Sequence, residues 1–292
     1  MPDAVPFRRV AILGTGLIGA SFGLALRDAF PQISIVAYDR SDVLSRVSEQ
    51  GWQWEIATEV GAAVGEADLI YVALPIGAAM EILPSIATKC GERALVTDAG
   101  STKAEICRLA KTLFRGRARF LGGHPIAGKE TSGIQNADAK LFRSARYALI
   151  GNDRESDDRV LRFVSLLSAI GAEPIWCDAD THDWALAVVS QMPQLVALAL
   201  ARVVSDETDE TGLPTTLAGR GLRDLLRIAG SPYEVWRDIC LTNTENISRS
   251  LDRVTQAIDY LRTHLTGREL EQEFRAANEL YKSLHSTHRN LQ

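Results

Sequence analysis

The chain has 292 residues, 46% hydrophobic and 24% charged, which is enough for two ordinary globular cores. A formal net charge of -5 removes the electrostatic case for a nucleic-acid partner. Its four cysteines, Cys90, Cys107, Cys177 and Cys240, form no CxxC pair, which argues against a metal site or disulfide framework and fits a reducing cytoplasm. Met1 to Arg9 carry no signal pattern, and no apolar run reaches the ~18 residues of a membrane span, so no membrane partner is expected.

Arg8 to Leu13 reads as a compact apolar strand running straight into Gly14-Thr15-Gly16-Leu17-Ile18-Gly19. An apolar helix follows to about Phe30, and a second strand, Ile33 to Tyr38, ends on Asp39. Glycines between a strand and a helix, with an acid closing the next strand about 20 residues on, form a full dinucleotide fingerprint. Gly14 allows the tight turn, Gly16 lets the backbone approach a pyrophosphate, and Gly19 permits close helix–strand packing. Asp39 would accept from a ribose 2′-hydroxyl and repel a 2′-phosphate, which favours NAD. Arg40 beside it could partly tolerate NADP, or is a solvated surface charge.

The alternation continues with a strand from Ala67 to Leu74, a helix near Gly77 to Ala87 and a strand from Ala94 to Asp98. Ala99-Gly100-Ser101-Thr102-Lys103 breaks that strand before a helix to Phe114. Ser101 suits a contact to a substrate hydroxyl near the nicotinamide, or caps the helix, or does both. Arg119 to Gly122 reads as a short buried strand with His124 left at its C-terminal end, where ligands sit in a doubly wound sheet. A titratable imidazole there suits proton work, the bland alternative being a histidine bonded in a turn. A strand at Arg146 to Ile150, a helix near Asp157 to Ile170 and a strand at Glu173 to Trp176 complete the α/β half, residues 1–177.

From Asp178 to Gln292 only helical periodicity remains, giving an all-α second domain over 178–292. Its first helix, about Ala179 to Ser205, holds Pro193, which must kink it and free a carbonyl. Asp183, Ala187, Ser190 and Gln194 share one face, either a lined cavity or a wet edge. Arg223 and Arg227, four apart, share a face of a later helix and suit a carboxylate, or are solvated charges. Two amphipathic helices, near Thr244 to Leu265 and Arg268 to His288, complete a bundle.

Taken together the residues resemble the prephenate/arogenate dehydrogenase family of tyrosine biosynthesis. The likeness rests on the glycine loop with Ser21, on Asp98-Ala99-Gly100-Ser101-Thr102-Lys103 and on Gly122-Gly123-His124-Pro125-Ile126-Ala127-Gly128. It continues through His182-Asp183, Ser190-Gln191-Met192-Pro193-Gln194, Arg223 to Ala229, and Trp236-Arg237-Asp238-Ile239 with Asn243. The resemblance implies oxidation of a cyclohexadienol with loss of CO₂, prephenate being the first-choice substrate and arogenate the alternative. It makes His124 the group that takes the ring 4-hydroxyl proton, Ser101 a second contact to that hydroxyl, and Arg227 the anchor of the ring carboxylate. It also implies a homodimer built on the helical half.

Many members read Ser-His-x-Pro-His where this chain has Gln191 and Gln194, which unsettles the contact of Ser190 and Gln194 to the substrate side chain. With the chain ending at Gln292 soon after the bundle, neither an appended regulatory domain nor a fused mutase domain is expected. A β-hydroxyacid dehydrogenase would share the glycine loop but is expected to use a lysine of the second domain, and no lysine lies between Lys140 and Lys282. A non-catalytic nicotinamide sensor would not need His124 and Arg227 on one cleft.

Overall fold

The computed structural model describes residues 5–289 except 117, 129, 130, 132, 153–155 and 209, with side chains to residue 285; Lys129 and Ser132, in the polar stretch that follows His124, lie outside it. Six parallel strands form the first sheet: β1 (Arg9–Leu13), β2 (Ser34–Tyr38), β3 (Glu55–Ile56), β4 (Leu69–Val72), β5 (Leu95–Asp98) and β6 (Arg119–Leu121), in the order β3-β2-β1-β4-β5-β6. Val10 to Leu13, Leu69 to Val72 and Leu95 to Asp98 are buried along their whole length. Helices cover both faces, so the first two are continuous apolar runs that do not alternate, and the third ends in the buried polar pair Thr97 and Asp98. The helices of this half are α1 (Leu17–Ala29), α2 (Ser41–Glu49), α3 (Val60–Val64), α4 (Ile76–Lys89), α5 (Ala104–Leu113) and α6 (Asp158–Ala169). Strand order reverses between β1 and β4, where a doubly wound sheet opens its ligand crevice.

A second, three-stranded sheet was not anticipated. It comprises β7 (Gly123–Pro125), β8 (Arg146–Ile150) and β9 (Glu173–Cys177), with β7–β8 antiparallel and β8–β9 parallel. His124 therefore lies in mid-strand, paired with Ala148, and not in a turn at the end of β6. The chain crosses between sheets at Gly122-Gly123 because nothing larger fits. A Cβ on Gly122 would stand 2.6 Å from Cys107 Sγ, and one on Gly123 would stand 2.7 Å from the Asp98 carbonyl oxygen.

Beyond β9 the described chain is helical: α7 (Ala179–Leu186), α8 (Met192–Asp206), α9 (Leu213–Thr216), α10 (Arg220–Arg227), α11 (Tyr233–Thr242), α12 (Thr244–Thr263) and α13 (Glu269–Arg289). A π-turn at Ala187–Gln191 joins α7 to α8, closed by the Met192 N–H on the Ala187 carbonyl. Pro193 follows at the start of α8 and has no N–H to continue the regular ladder, so the predicted break takes the form of one wide turn. Each residue of a π-turn advances less around the axis than an α-helical residue. The position four on from Ala187 then returns to its face, and the position three on does not. Gln191 is buried and Ser190 exposed; the polar face is Asp183, Ala187, Gln191 and Gln194, correcting the expectation for Ser190.

The run Ala179–Asp206 also corrects the expectation about apolar length. It contains an 18-residue window of mean hydropathy 1.6, long and apolar enough to cross a membrane by length and composition, of which 22% is buried in the single chain. Counting unbroken apolar residues missed it because Gln191 and Gln194 interrupt the run without lowering the average far.

Candidate active site

The parallel sheet places the ends of β1, β2, β4, β5 and β6 along one edge, and the candidate residues gather there. Gly14 adopts φ +94°, and its N–H bonds to the Tyr38 carbonyl at 2.9 Å. A Cβ on Gly14 would lie 2.5 Å from the Ala73 oxygen, and one on Gly19 would lie 1.8 Å from the Gly14 oxygen. A Cβ on Gly16 would meet nothing within 4 Å. Gly14 and Gly19 are thus required by the protein's own packing, while Gly16 opens onto empty space at the start of α1. No side chain caps α1, and its first turn holds no acid, so the amides of Leu17 and Ile18 in that first turn suit an anion such as a pyrophosphate. The residues present fit NAD.

Asp39 does more than was read from the sequence. Its Oδ2 accepts from the Thr15 N–H at 2.6 Å and from Thr15 Oγ1 at 3.1 Å, and its Oδ1 accepts from the Arg40 N–H at 2.7 Å. The carboxylate therefore ties β2 to the glycine loop. The Arg40 guanidinium is exposed and reaches Asp42 at 3.4 Å. Asp39→Ser is expected to narrow the preference for NAD over NADP and also to weaken binding of both, because the loop loses its tie. Titrating the variant with each nucleotide checks this; an unchanged NAD affinity and preference would remove Asp39 from the cofactor site.

His124 is buried, with its Nδ1 2.9 Å from His182 Nε2, and the rings meet edge to face. His182 Nδ1 lies 2.8 Å from Asp183 Oδ1. The Asp183 carboxylate also accepts from the Lys103 N–H at 2.7 Å and the Ala104 N–H at 2.8 Å, the first amides of α5. That settles the capping alternative for Ser101. Lys103 holds the N-cap position, no local side chain caps α5, and the cap is a carboxylate from α7. Ser101 itself is half-buried just beyond β5. Desolvation, then the neighbouring His182 and the Lys103 ammonium, hold the His124 pKa well below the usual histidine value. The imidazole is accordingly neutral at pH 7.

Beneath His124 lies a buried ion pair between Lys103 and Asp98, their side chains 0% and 1% exposed. Lys103 Nζ donates to the Gly123 carbonyl at 2.8 Å, and the Gly123 N–H donates to Asp98 Oδ1 at 3.2 Å. The two charges grip both peptide polar groups of the residue preceding His124. On the helical side, Asn243 Nδ2 donates to the Asp183 carbonyl and to Gln191 Oε1, each at 2.7 Å. Gln191 is thereby held by the protein, and Gln194 is buried on the same face. Arg227 ends α10 and is exposed, and α10 packs against α8, which carries Gln194. Ser190 points outward.

Sequence reasoning assigned no role to His182, Lys103, Asp98 or Asn243, although all four stood in the motifs quoted. The Asp98-to-Lys103 spacing and the adjacent His182-Asp183 pair were the available signals.

Two family models match the chain: "Prephenate dehydrogenase, nucleotide-binding domain" over residues 22–175 and "Prephenate dehydrogenase, dimerization domain" over 178–282. The prephenate dehydrogenase of Lactococcus lactis is 35% identical over 264 residues, covering 90% of this chain and 72% of that protein. The crystal structure of Aquifex aeolicus prephenate dehydrogenase in complex with hydroxyphenyl propionate and NAD+ superposes with a TM-score of 0.84 at 26% identity, covering 96% of this chain and 98% of that one. Synechocystis arogenate dehydrogenase superposes with a TM-score of 0.75 at 26% identity, over 97% of this chain and 99% of that one. With a dinucleotide edge, a buried neutral histidine and a helical half all in one order, the chain belongs to the prephenate dehydrogenase family.

Proposed function

We propose that the protein is an NAD-dependent prephenate dehydrogenase converting prephenate to 4-hydroxyphenylpyruvate and CO₂. The reading is carried by His124: neutral at pH 7, buried at the nucleotide edge, and engaged through Nδ1 so that Nε2 is the atom left for a ligand. When bound, NAD supplies the hydride acceptor, held by Gly14, Gly16, Gly19 and Asp39 with the amides of Leu17 and Ile18. His124 Nε2 then accepts the ring 4-hydroxyl proton, and Ser101 contacts the same hydroxyl. Arg227 pairs with the ring carboxylate, so the substrate spans from β7 to α10. Aromatisation drives the reaction, and the protein has to supply orientation, a base and a positive anchor. Arg227 is exposed in the single chain, so Arg227→Ala is expected to weaken prephenate binding by about 1 kcal/mol if the ion pair stays solvated and by roughly 2–5 kcal/mol if the bound complex excludes water from it. An unchanged KM would show that Arg227 does not meet the ring carboxylate.

A second reading, turnover of arogenate, is favoured by Gln194. A buried neutral amide does not repel the arogenate ammonium as a protonated histidine would. The deciding experiment gives pure enzyme each substrate with NAD and with NADP. Faster reduction with prephenate and NAD supports the reading, and turnover of neither substrate sinks it. Gln194→His should then shift kcat/KM toward prephenate; an unmoved ratio would take Gln194 away from the side chain.

The same proposal includes a homodimer in the reducing cytoplasm. Support for the dimer comes from the dimerization-domain match and from apolar side chains exposed in the single chain: Val189, Leu198 and Val203 on the long helix, and Phe274, Tyr281 and Leu284 on α13.

A further inference from the structure

We infer that His182 and Asp183 are positioning residues that fix His124 in a single tautomer and support its charge while it holds the substrate's proton. The inference rests on the reading of His124 as the base.

A carboxylate has no proton to give, so the Asp183 Oδ1 to His182 Nδ1 contact at 2.8 Å requires the hydrogen to sit on Nδ1 of His182. In the tautomer with its hydrogen on Nδ1, His182 carries only a lone pair on Nε2. The 2.9 Å contact to His124 must be donated by His124 Nδ1–H. A neutral His124 protonated at Nδ1 has its remaining lone pair on Nε2, which is the atom a base needs. The other contacts of Asp183 fix the chain's direction. Its carboxylate takes the first two free amides of α5, and its own carbonyl is held by Asn243, so neither the carboxylate nor its backbone can swing away from His182. His124, His182, Asp183, Lys103 and Asn243 are all buried.

The reaction makes this arrangement useful in a particular way. When hydride has left C4 with its electron pair, the hydroxyl proton sits on His124 Nε2 and the ring carries a carbonyl. Loss of CO₂ leaves the C–C bonding pair in the ring, which becomes aromatic with a negative oxygen. The proton on His124 then returns to that oxygen, giving the phenol. No proton is taken up from or released to water overall, so His124 serves as a store and not an exit. During storage it is an imidazolium in a dry site beside the Lys103 ammonium. The Nδ1–H bond to His182, backed by the Asp183 carboxylate, is the stabilising contact on the side away from substrate.

Nitrogen-15 spectra of histidine-labelled enzyme read the tautomers directly, since the chain has only five histidines and His124→Asn and His182→Gln assign the two signals. Wild-type enzyme is expected to show both His124 and His182 protonated at Nδ1. His182→Leu, which removes the acceptor, should give His124 in mixed tautomers. Its kcat should fall at least about tenfold, bounded by the ~10²–10⁴-fold worth of a positioned base, with KM for prephenate changed by less than about threefold. His182→Gln, whose Oε1 can still accept from His124 Nδ1–H, should recover part of the loss. An Nε2–H signal for His124 in wild type, or a wild-type kcat in a folded His182→Leu enzyme, overturns the inference. Should His182→Leu fail to fold, the wild-type spectrum and His182→Gln still decide. A wild-type kcat in His124→Asn would instead remove the base reading, whereas a crippled His124→Asn beside an unaffected His182→Leu removes only the role of His182 and Asp183.

Discussion

His124→Asn is expected to keep NAD binding and lose roughly 10²–10⁴-fold in kcat, the usual contribution of a positioned base. Asparagine is small enough for the site but has no basic nitrogen to accept the hydroxyl proton. The pH dependence follows from the same group. Activity needs neutral His124, and burial, His182 and Lys103 depress its pKa, so the acid limb of the wild-type kcat/KM profile should lie below the ordinary histidine value of about 6.5. Stability follows by linkage. The folded-state pKa is lowered, so the unfolded chain binds a proton first as pH falls. The contribution is complete above about 6.5 and is lost as pH falls from there through the folded pKa. A variant with near wild-type kcat at all pH values, or an acid limb above 6.5 tracking His124, would refute the assignment.

Lys103→Met should be the most destabilising single change at the site. It strands Asp98 as a buried charge and frees the Gly123 carbonyl, and breaking a buried pair in this way costs about 3–5 kcal/mol. Because the pair grips the residue before His124, kcat should fall with stability. The double variant Asp98→Asn, Lys103→Met leaves no unpaired charge and should regain part of the lost stability. Thermal or denaturant melting measures both. A single variant as stable as wild type would show that the pair holds nothing in place.

Much of the frame was legible because buried parallel strands announce themselves. Val10–Leu13 and Leu69–Val72 are apolar throughout, and Leu95-Val96 opens a third buried strand that ends on Asp98. The short elements were not legible. Glu55–Ile56 spans two residues and Gly123–Pro125 has no strand-forming side chain, so each exists only because a neighbouring strand pairs with it. The short helices Ser41–Glu49 and Val60–Val64 were passed over as well. At the site, His124 was readable from its glycine–proline setting. Its partner His182 was not, since 58 residues separate them and only the docking of α7 on α5 joins them. Asp183 was read as part of a lined cavity or a wet edge on one helix face, whereas it serves as the cap of another helix. Ser190 was misplaced by the π-turn, which no periodicity count anticipates.

Asp183 on α5 has a counterpart. Asp238 of α11 accepts from the Gly77 N–H at 2.8 Å, in the first turn of α4. Two helices of the nucleotide half thus have opening amides satisfied by carboxylates borrowed from the helical half. Hydrogen exchange at Gly77, Lys103 and Ala104 therefore becomes a clock for the cleft. Those amides are released together when the halves part, so a single rate shared by all three would report that opening, and its slowing by nucleotide would measure how far NAD holds the molecule shut.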